Sequence, residues 1–99
     1  MKVTSIHRPE HAVLVGFLRD LRVEAGLTQS EVAASLGVAQ TAISDIEINE
    51  RRADYLLVQD LCKIYGIAMS DFVAEFARRL RVGAKGKRRT VVRKDSRSK

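Results

Sequence analysis

One segment, residues 29–46, constrains the fold of this chain more than any other feature of its sequence. If Gln29 is counted as the first position, the fifth is Ala33, the ninth is Gly37, and the fifteenth and eighteenth are Ile43 and Ile46. Two helices that cross closely need a small residue at the fifth position, and the turn between them needs a glycine at the ninth. The two isoleucines predict that one side of the second helix is buried and that its other side is free.

Local signals indicate where these two helices begin and end. Thr28 and Glu31 have the spacing of a capping box, in which each side chain accepts from the other residue's backbone amide. The first helix is expected to run to Leu36 and the second over residues 40–48. The outward positions of the second helix are Gln40, Thr41, Ser44 and Asp45. Together the segments predict a helix-turn-helix, a motif whose second helix enters the major groove of DNA.

Three more helices are predicted from apolar residues that recur every three or four positions. They are expected over residues 10–25, 55–65 and 71–80. Asp54 and Ser70 are expected to cap the last two helices, because their side chains accept from first-turn amides. Five short helices joined by brief loops predict an all-α domain.

Basic residues are concentrated at the C-terminal end of the 99-residue chain. Residues 81–99 have nine Lys and Arg against one acid, whereas residues 1–80 have nine against eleven. We expect an N-terminal arm (1–9), one domain (10–80) and a flexible, disordered basic tail (81–99). Such a tail predicts a polyanionic partner, nucleic acid above all. The tail cations expected to lie along DNA are Lys85, Lys87, Arg88, Arg89, Arg93 and Lys94.

Several classes of function are excluded by what the sequence lacks. It has no nucleophile with an activating partner and no glycine-rich phosphate loop, so we expect no enzyme. His7 and His11 are four residues apart, but no Cys, Asp or Glu trio completes a site, so we expect no metal and no cofactor. The lone Cys62 fits a core position in a reducing compartment. No apolar run approaches the ~18 residues of a membrane span, which favours a cytoplasmic protein.

A resemblance to a known family is carried by the segment LRDLRVEAGLTQSEVAASLGVAQTAISDIEINERRAD. It is similar to the lambda repressor and Cro type of helix-turn-helix domain, the Xre family, which typically reads LRxxRxxxGLTQxxLAxxLGxxQxxISxxExGxR. The resemblance extends over about residues 18–76 and leaves out the arm and the tail. It implies a five-helix, lambda-repressor-like domain that binds double-stranded DNA.

The resemblance also assigns roles to individual residues. Gln29 matches a family glutamine that contacts a phosphate at the start of the second helix. The matching base-reading positions are Gln40, Thr41, Ser44 and Asp45. Arg22 and Glu47 match a partly buried ion pair that ties the first helix to the recognition helix, and breaking such a pair leaves an unpaired charge.

Three positions depart from the family pattern. Ala39 stands where relatives usually have a Ser or Thr cap for the recognition helix, so the start of that helix is expected either to fray or to use another cap. Asp45 replaces a common Lys, Arg or Gln; its carboxylate can accept from cytosine N4 but is repelled by a phosphate. Asn49 replaces a common glycine and, like glycine, enters left-handed conformations.

The residue types allow specific contacts with DNA. Gln40 can bind adenine N6 and N7 bidentately, and Thr41 can touch a thymine methyl group or a phosphate. Arg51 and Arg52 follow the recognition helix and are expected to contact DNA phosphates. Such contacts position the protein on the duplex but carry no sequence information. The alternative for these two arginines is a solvated loop paired with neighbouring acids.

The last helix has more apolar residues than a minimal helix-turn-helix core requires. Phe72, Val73 and Phe76 form either the interface of a homodimer or the last part of the monomer core. Relatives commonly dimerise near this helix. We therefore expect a homodimer that reads two half-sites about one turn of DNA apart (~34 Å).

These observations favour a sequence-specific DNA-binding transcriptional regulator, most simply a repressor. One alternative is an antitoxin that neutralises a toxin protein and represses its own operon; a stoichiometric protein partner would favour it. Another is a non-specific nucleic-acid binder that acts through the basic tail, in which case residues 1–80 alone would lose nearly all binding and any duplex would serve.

Overall fold

The computed structural model of the chain describes residues 8–88, with side chains described as far as residue 82. In that part of the chain the elements are α1 (Pro9–Glu24), α2 (Gln29–Leu36), α3 (Gln40–Glu47), α4 (Tyr55–Tyr65) and α5 (Met69–Arg88). The predicted all-α fold of five helices is confirmed. The predictions for residues 1–7 and 89–99, which concern most of the arm and the end of the tail, lie outside the described residues.

Helix ends follow the local signals at most positions. α1 begins at Pro9, whose fixed φ suits the first turn. The capping box of α2 is present: the Glu31 amide donates to Thr28 Oγ1 at 3.0 Å and the Thr28 amide donates to Glu31 Oε1 at 2.8 Å. The Leu57 amide donates to Asp54 Oδ1 at 2.9 Å, as expected for the cap of α4.

α5 differs from its prediction at both ends. The predicted cap, Ser70, lies inside the first turn, because the Phe72 amide bonds to the Ala68 carbonyl at 2.9 Å and the helix starts at Met69. The prediction that the helix ends near Leu80 is also wrong, since it continues to Arg88. Arg, Lys and Ala favour helix strongly, and glycines within it cost only about 1 kcal/mol each. Residues 81–88, predicted as part of the tail, therefore continue α5.

The core is apolar and receives side chains from every helix. Its buried members are Val15, Phe17, Leu18, Val32, Ala33, Ile43, Ile46, Ala53, Val58, Leu61, Cys62 and Phe72. Phe17 of α1 stacks on Phe72 of α5 with ring centroids 4.8 Å apart. Cys62 is 1% exposed, and burial raises the pKa of its thiol, in line with the predicted core position. The packing holds α2 and α3 against a scaffold of α1, α4 and α5.

Arg79 fastens α5 to α1. Its guanidinium lies 4.3 Å from the centre of the Phe17 ring and donates to Asp20 Oδ2 at 2.8 Å. A second bond joins it to Glu75 Oε2 on its own helix at 3.0 Å. A cation over an aromatic face is attracted by the negative face of the ring, so these contacts fix α5 along α1. No helix in the described range is both long and apolar enough to cross a membrane.

Candidate nucleic-acid interface

α2 and α3 cross with the packing that the motif spacing requires. Ala33 is 2% exposed at the crossing, and Ile43 and Ile46 are 2% and 3% exposed on the inner side of α3. Gly37 ends α2 with φ 73°, a left-handed conformation that side chains with a Cβ rarely adopt. On the opposite side of α3, Gln40 and Thr41 are exposed.

A bidentate ion pair joins α3 to α1. Arg22 Nε lies 2.7 Å from Glu47 Oε2, and a terminal nitrogen of the same guanidinium donates to Glu47 Oε1 at 3.1 Å. The other terminal nitrogen donates to the Leu27 carbonyl at 2.7 Å. The side chains are 13% and 5% exposed, and the hydrogen bond with Glu47 raises the pKa of Arg22. Burial, followed by the Glu47 charge, raises the pKa of the nearby Tyr65 to about 12.

A chain of hydrogen bonds runs outward from this pair to the exposed face. Gln29 Nε2 donates to Glu47 Oε1 at 2.9 Å, and Gln40 Nε2 donates to Gln29 Oε1 at 2.9 Å. A carboxylate only accepts, so Glu47 sets which side of the Gln29 amide points inward. Gln29 in turn sets the orientation of the Gln40 amide. We call Arg22, Glu47, Gln29 and Gln40 the polar relay.

The family resemblance implied the Arg22–Glu47 pair, but the sequence did not predict the hydrogen bonds that continue from Glu47 through Gln29 to Gln40. Gln29 was predicted as a phosphate contact, and the structure places its amide between Glu47 and Gln40. One Nε2 hydrogen of Gln29 is used by Glu47, and the second is available to another acceptor. In the sequence these residues stand out by their positions on the two helices of the motif, residue 29 on α2 and residues 40 and 47 on α3. Such positions do not by themselves specify hydrogen bonds.

The other predicted base-reading residues lie along the same exposed side of α3. Thr41 is exposed, and Ser44 and Asp45 are half-buried one turn further on. At the start of the helix, Ala39 occupies the N-cap position and makes no side-chain cap, as its residue type requires. The first turn of α3 instead depends on the backbone bond from Ala42 to the Ala39 carbonyl at 3.0 Å.

The loop after α3 is fixed by a residue that sequence reasoning considered only as a metal ligand. His11 of α1, 8% exposed, contacts Asn49 and Ala53 at the two ends of the loop. Asn49 has φ 66°, which fits the predicted tolerance of Asn for left-handed backbone. Arg51 and Arg52 lie exposed between these ends.

Charge is distributed unevenly over the candidate interface. Between residues 28 and 54 the acids are Glu31, Asp45, Glu47, Glu50 and Asp54, and the bases are Arg51 and Arg52. The basic side chains of this segment therefore lie in the loop after α3. Of the other predicted cations, Lys85, Lys87 and Arg88 belong to α5, and the rest lie outside the described residues.

An apolar groove opens between α1, α4 and α5. The groove is lined by Leu14, Ala53, Tyr55, Val58, Met69, Phe72, Val73 and Phe76. The three predicted interface residues divide between two roles: Phe72 is buried in the monomer core, Phe76 is half-buried against it, and Val73 is 56% exposed. Tyr55 and Leu56 extend the exposed apolar surface and are 65% and 68% exposed.

Comparisons with known proteins agree with this architecture. A family model described as helix-turn-helix matches residues 18–72. HTH-type transcriptional regulator PuuR of Escherichia coli (strain K12) is 34% identical over 58 residues, which are 59% of this chain and 31% of PuuR. Cryptic phage CTXphi transcriptional repressor RstR of Vibrio cholerae is 34% identical over 58 residues, which are 52% of RstR. The matched region thus spans about a third to a half of these relatives.

Proposed function

Since the chain belongs to the helix-turn-helix family, we propose that it is a sequence-specific DNA-binding transcriptional regulator, most simply a repressor. The observation that carries the proposal is the polar relay, which orients an exposed glutamine on the outer face of α3. The relatives support the regulatory role, because one is named a transcriptional regulator and another a transcriptional repressor. The proposal includes no catalytic activity and no cofactor, and it places the protein in the cytoplasm.

Base reading begins at Gln40. One of its Nε2 hydrogens is bound to Gln29, which leaves the second hydrogen and the side-chain oxygen for a base edge. Adenine offers the matching pair in the major groove, the N7 acceptor and the N6 donor. Thr41, Ser44 and Asp45 extend the reading surface along α3, with Asp45 favouring a cytosine N4 donor.

Phosphate contacts position the domain on the duplex. The second Nε2 hydrogen of Gln29 can donate to a phosphate while the first stays on Glu47. Arg51 and Arg52 flank the end of α3 and supply positive charge where the motif is otherwise acidic. The basic residues toward the end of α5 and in the tail add affinity that depends on salt more than on sequence.

We propose that two copies of the chain form a homodimer through the groove between α4 and α5. One α3 reaches only a few base pairs, and a symmetric dimer presents two such helices to the half-sites of a palindrome. Exposed Tyr55, Leu56 and Val73 supply the apolar surface. A Val73→Glu variant should shift the chain from dimer to monomer in light scattering and weaken binding to a two-half-site duplex, with Ala74→Glu as the control on the same helix.

Selection from a randomised duplex pool at about physiological salt tests the proposed function. The full chain is compared with a variant in which Lys85, Lys87 and Arg88 are replaced by Gln. We expect both proteins to enrich the same palindromic motif, and the variant to bind it more weakly with a flatter salt dependence.

Two other outcomes correspond to the alternatives. If the full chain retains DNA without enriching a motif, it binds non-specifically through its basic segment. If it enriches a motif but also co-purifies with a stoichiometric protein, the antitoxin hypothesis, in which the chain also represses its own operon, replaces the simple repressor. The first result contradicts the proposed sequence-specific function, and the second contradicts a regulator that acts without a protein partner.

A further inference from the structure

His11 joins α1 to both ends of the loop that follows α3. Its Nδ1 lies 2.6 Å from Asn49 Oδ1, and the backbone amide of Ala53 donates to its Nε2 at 3.1 Å. The histidine is 8% exposed, whereas Arg51 and Arg52 between the two contacts are exposed. One buried ring therefore sets the path of the loop that carries both arginines.

The contact with Ala53 determines the protonation state of the ring. A backbone N–H can only donate, so Nε2 has no hydrogen and the neutral ring carries its proton on Nδ1. Nδ1 then donates to Asn49 Oδ1. A second proton on Nε2 would face the Ala53 N–H, two donors would oppose each other, and this bond would be lost. Only the neutral form of the ring can therefore bond to both Asn49 and Ala53.

Among the described residues, three charged side chains lie beside His11. The cavity beside the ring is lined by Arg8, Glu10, Leu14, Arg52 and Phe76. Arg8 pairs with Glu10 at 3.3 Å, and the contribution of α5 is the apolar Phe76. Arginine and glutamate side chains usually titrate well outside the interval of about pH 5 to 8, so the histidine variants below decide whether a change in this interval comes from His11.

We propose that His11 is a positioning residue for DNA binding, whose neutral ring holds the loop in the conformation that places Arg51 and Arg52 against phosphates. Protonation of the ring releases Ala53 and loosens the loop, so the affinity for DNA falls as the pH falls. The DNA half of this proposal rests on the proposed function. The sign is distinctive, because added positive charge by itself strengthens binding to DNA.

The pH dependence of DNA affinity tests the first half of the proposal, namely that tight DNA binding requires the neutral ring. The full chain is titrated against a fluorescein-labelled duplex taken from the enriched pool, at constant salt and at about pH 8 and about pH 5.5. We expect the affinity to fall about three- to tenfold at the lower pH, the cost of re-ordering one or two long side chains.

Two variants separate positioning from a general structural effect. His11→Gln keeps an acceptor near the place of Nε2 and does not titrate. The variant should therefore bind DNA nearly as tightly as the parent at the higher pH and should show no fall in affinity at the lower pH. His7→Gln removes the other histidine of the chain and should keep the fall. An unchanged fall in His11→Gln, or its loss in His7→Gln, would overturn the proposal.

Amide exchange in the DNA-free protein tests the second half of the proposal, namely that protonation of His11 releases Ala53. The Ala53 amide should be protected at the higher pH and lose protection, after correction for intrinsic exchange, as the ¹⁵N shifts show the His11 ring gaining a proton. Ala53 protection that persists through this titration would overturn the proposal and needs no variant to fold. If no duplex is bound at either pH, the proposed function fails, and the role of His11 in DNA binding fails with it. Amide exchange still decides whether the neutral ring holds the loop.

Discussion

α2 and α3 are both eight residues long, yet their ends are stabilised in opposite ways. α2 uses its neighbours in sequence, with the capping box at one end and left-handed Gly37 at the other. α3 has no side-chain cap at Ala39, and its polar anchors come from distant residues: Arg22, Gln29 and, through the following loop, His11. The helix proposed to face DNA is therefore the one whose position depends on the rest of the domain.

The largest effect should come from breaking the distant anchor of α3. Arg22→Met leaves the buried Glu47 carboxylate without its cationic partner, and we expect the free energy of unfolding in urea to fall by about 3 kcal/mol. Arg8→Met is the matched control, because the Arg8–Glu10 pair is exposed and such pairs contribute roughly 0–1 kcal/mol. Equal losses in the two variants would show that the Arg22–Glu47 pair does not hold α3.

A smaller effect is expected when the local anchor of α2 is removed. Thr28→Ala deletes the hydroxyl that accepts from the Glu31 amide, and the free energy of unfolding should fall by about 1 kcal/mol. Ser35→Ala is the control, since this serine lies near the other end of α2. A Thr28→Ala variant as stable as the parent would mean that the capping box is not needed for α2.

Adding a cap should make α3 resemble α2. Ala39→Ser places a hydroxyl where the first-turn amides of α3 have no side-chain acceptor, and should raise the free energy of unfolding by about 0.5–1 kcal/mol. Thermal unfolding measures the gain, and Ala34→Ser on α2 is the control. Destabilisation by Ala39→Ser would indicate that the start of α3 cannot accept a cap in this geometry.

The smallest effect belongs to the ion pairs that Glu75 makes with Arg78 and Arg79 within α5. Hydrogen bonds from Arg78 and then Arg79 lower the pKa of Glu75 from 4.5 to about 2. Because the folded-state pKa is lowered, the stabilisation is present above the unfolded value and is lost as the pH falls from about 4.5 toward 2. At neutral pH the parent should melt at a slightly higher temperature than Glu75→Gln. This difference in melting temperature should shrink as the pH is lowered to about 3. A difference that grows in acid would contradict the assignment.

The contrast between α2 and α3 also explains what could be predicted from sequence. The capping box, the bounds of α4 and the apolar side of α3 depend on residues within a few positions of one another, and these predictions are confirmed. The relay joins residues 11, 18 and 25 positions apart, and the His11 contacts span 38 and 42 positions. No local spacing specifies such bonds.

The two misjudged ends of α5 have different causes. The helix begins at Met69, where the Phe72 amide donates to the Ala68 carbonyl, so Ser70 lies within the first turn and does not precede it as a cap would. Its end was judged from the charge and glycine content of residues 81–88. A run of helix-favouring Arg, Lys and Ala continues a helix that is already anchored by Arg79 on α1.

The affinity of Gln40→Ala for the enriched duplex most directly tests the claim that the relay presents a base-reading glutamine. Gln59→Ala on α4 is the matched control. The relay predicts that Gln40→Ala loses about 1–3 kcal/mol of discrimination at the adenine position while its thermal stability and that of the control stay close to the parent. If Gln40→Ala binds the best site as tightly and as selectively as the parent, the outer face of α3 does not read DNA through Gln40, and the central claim is wrong.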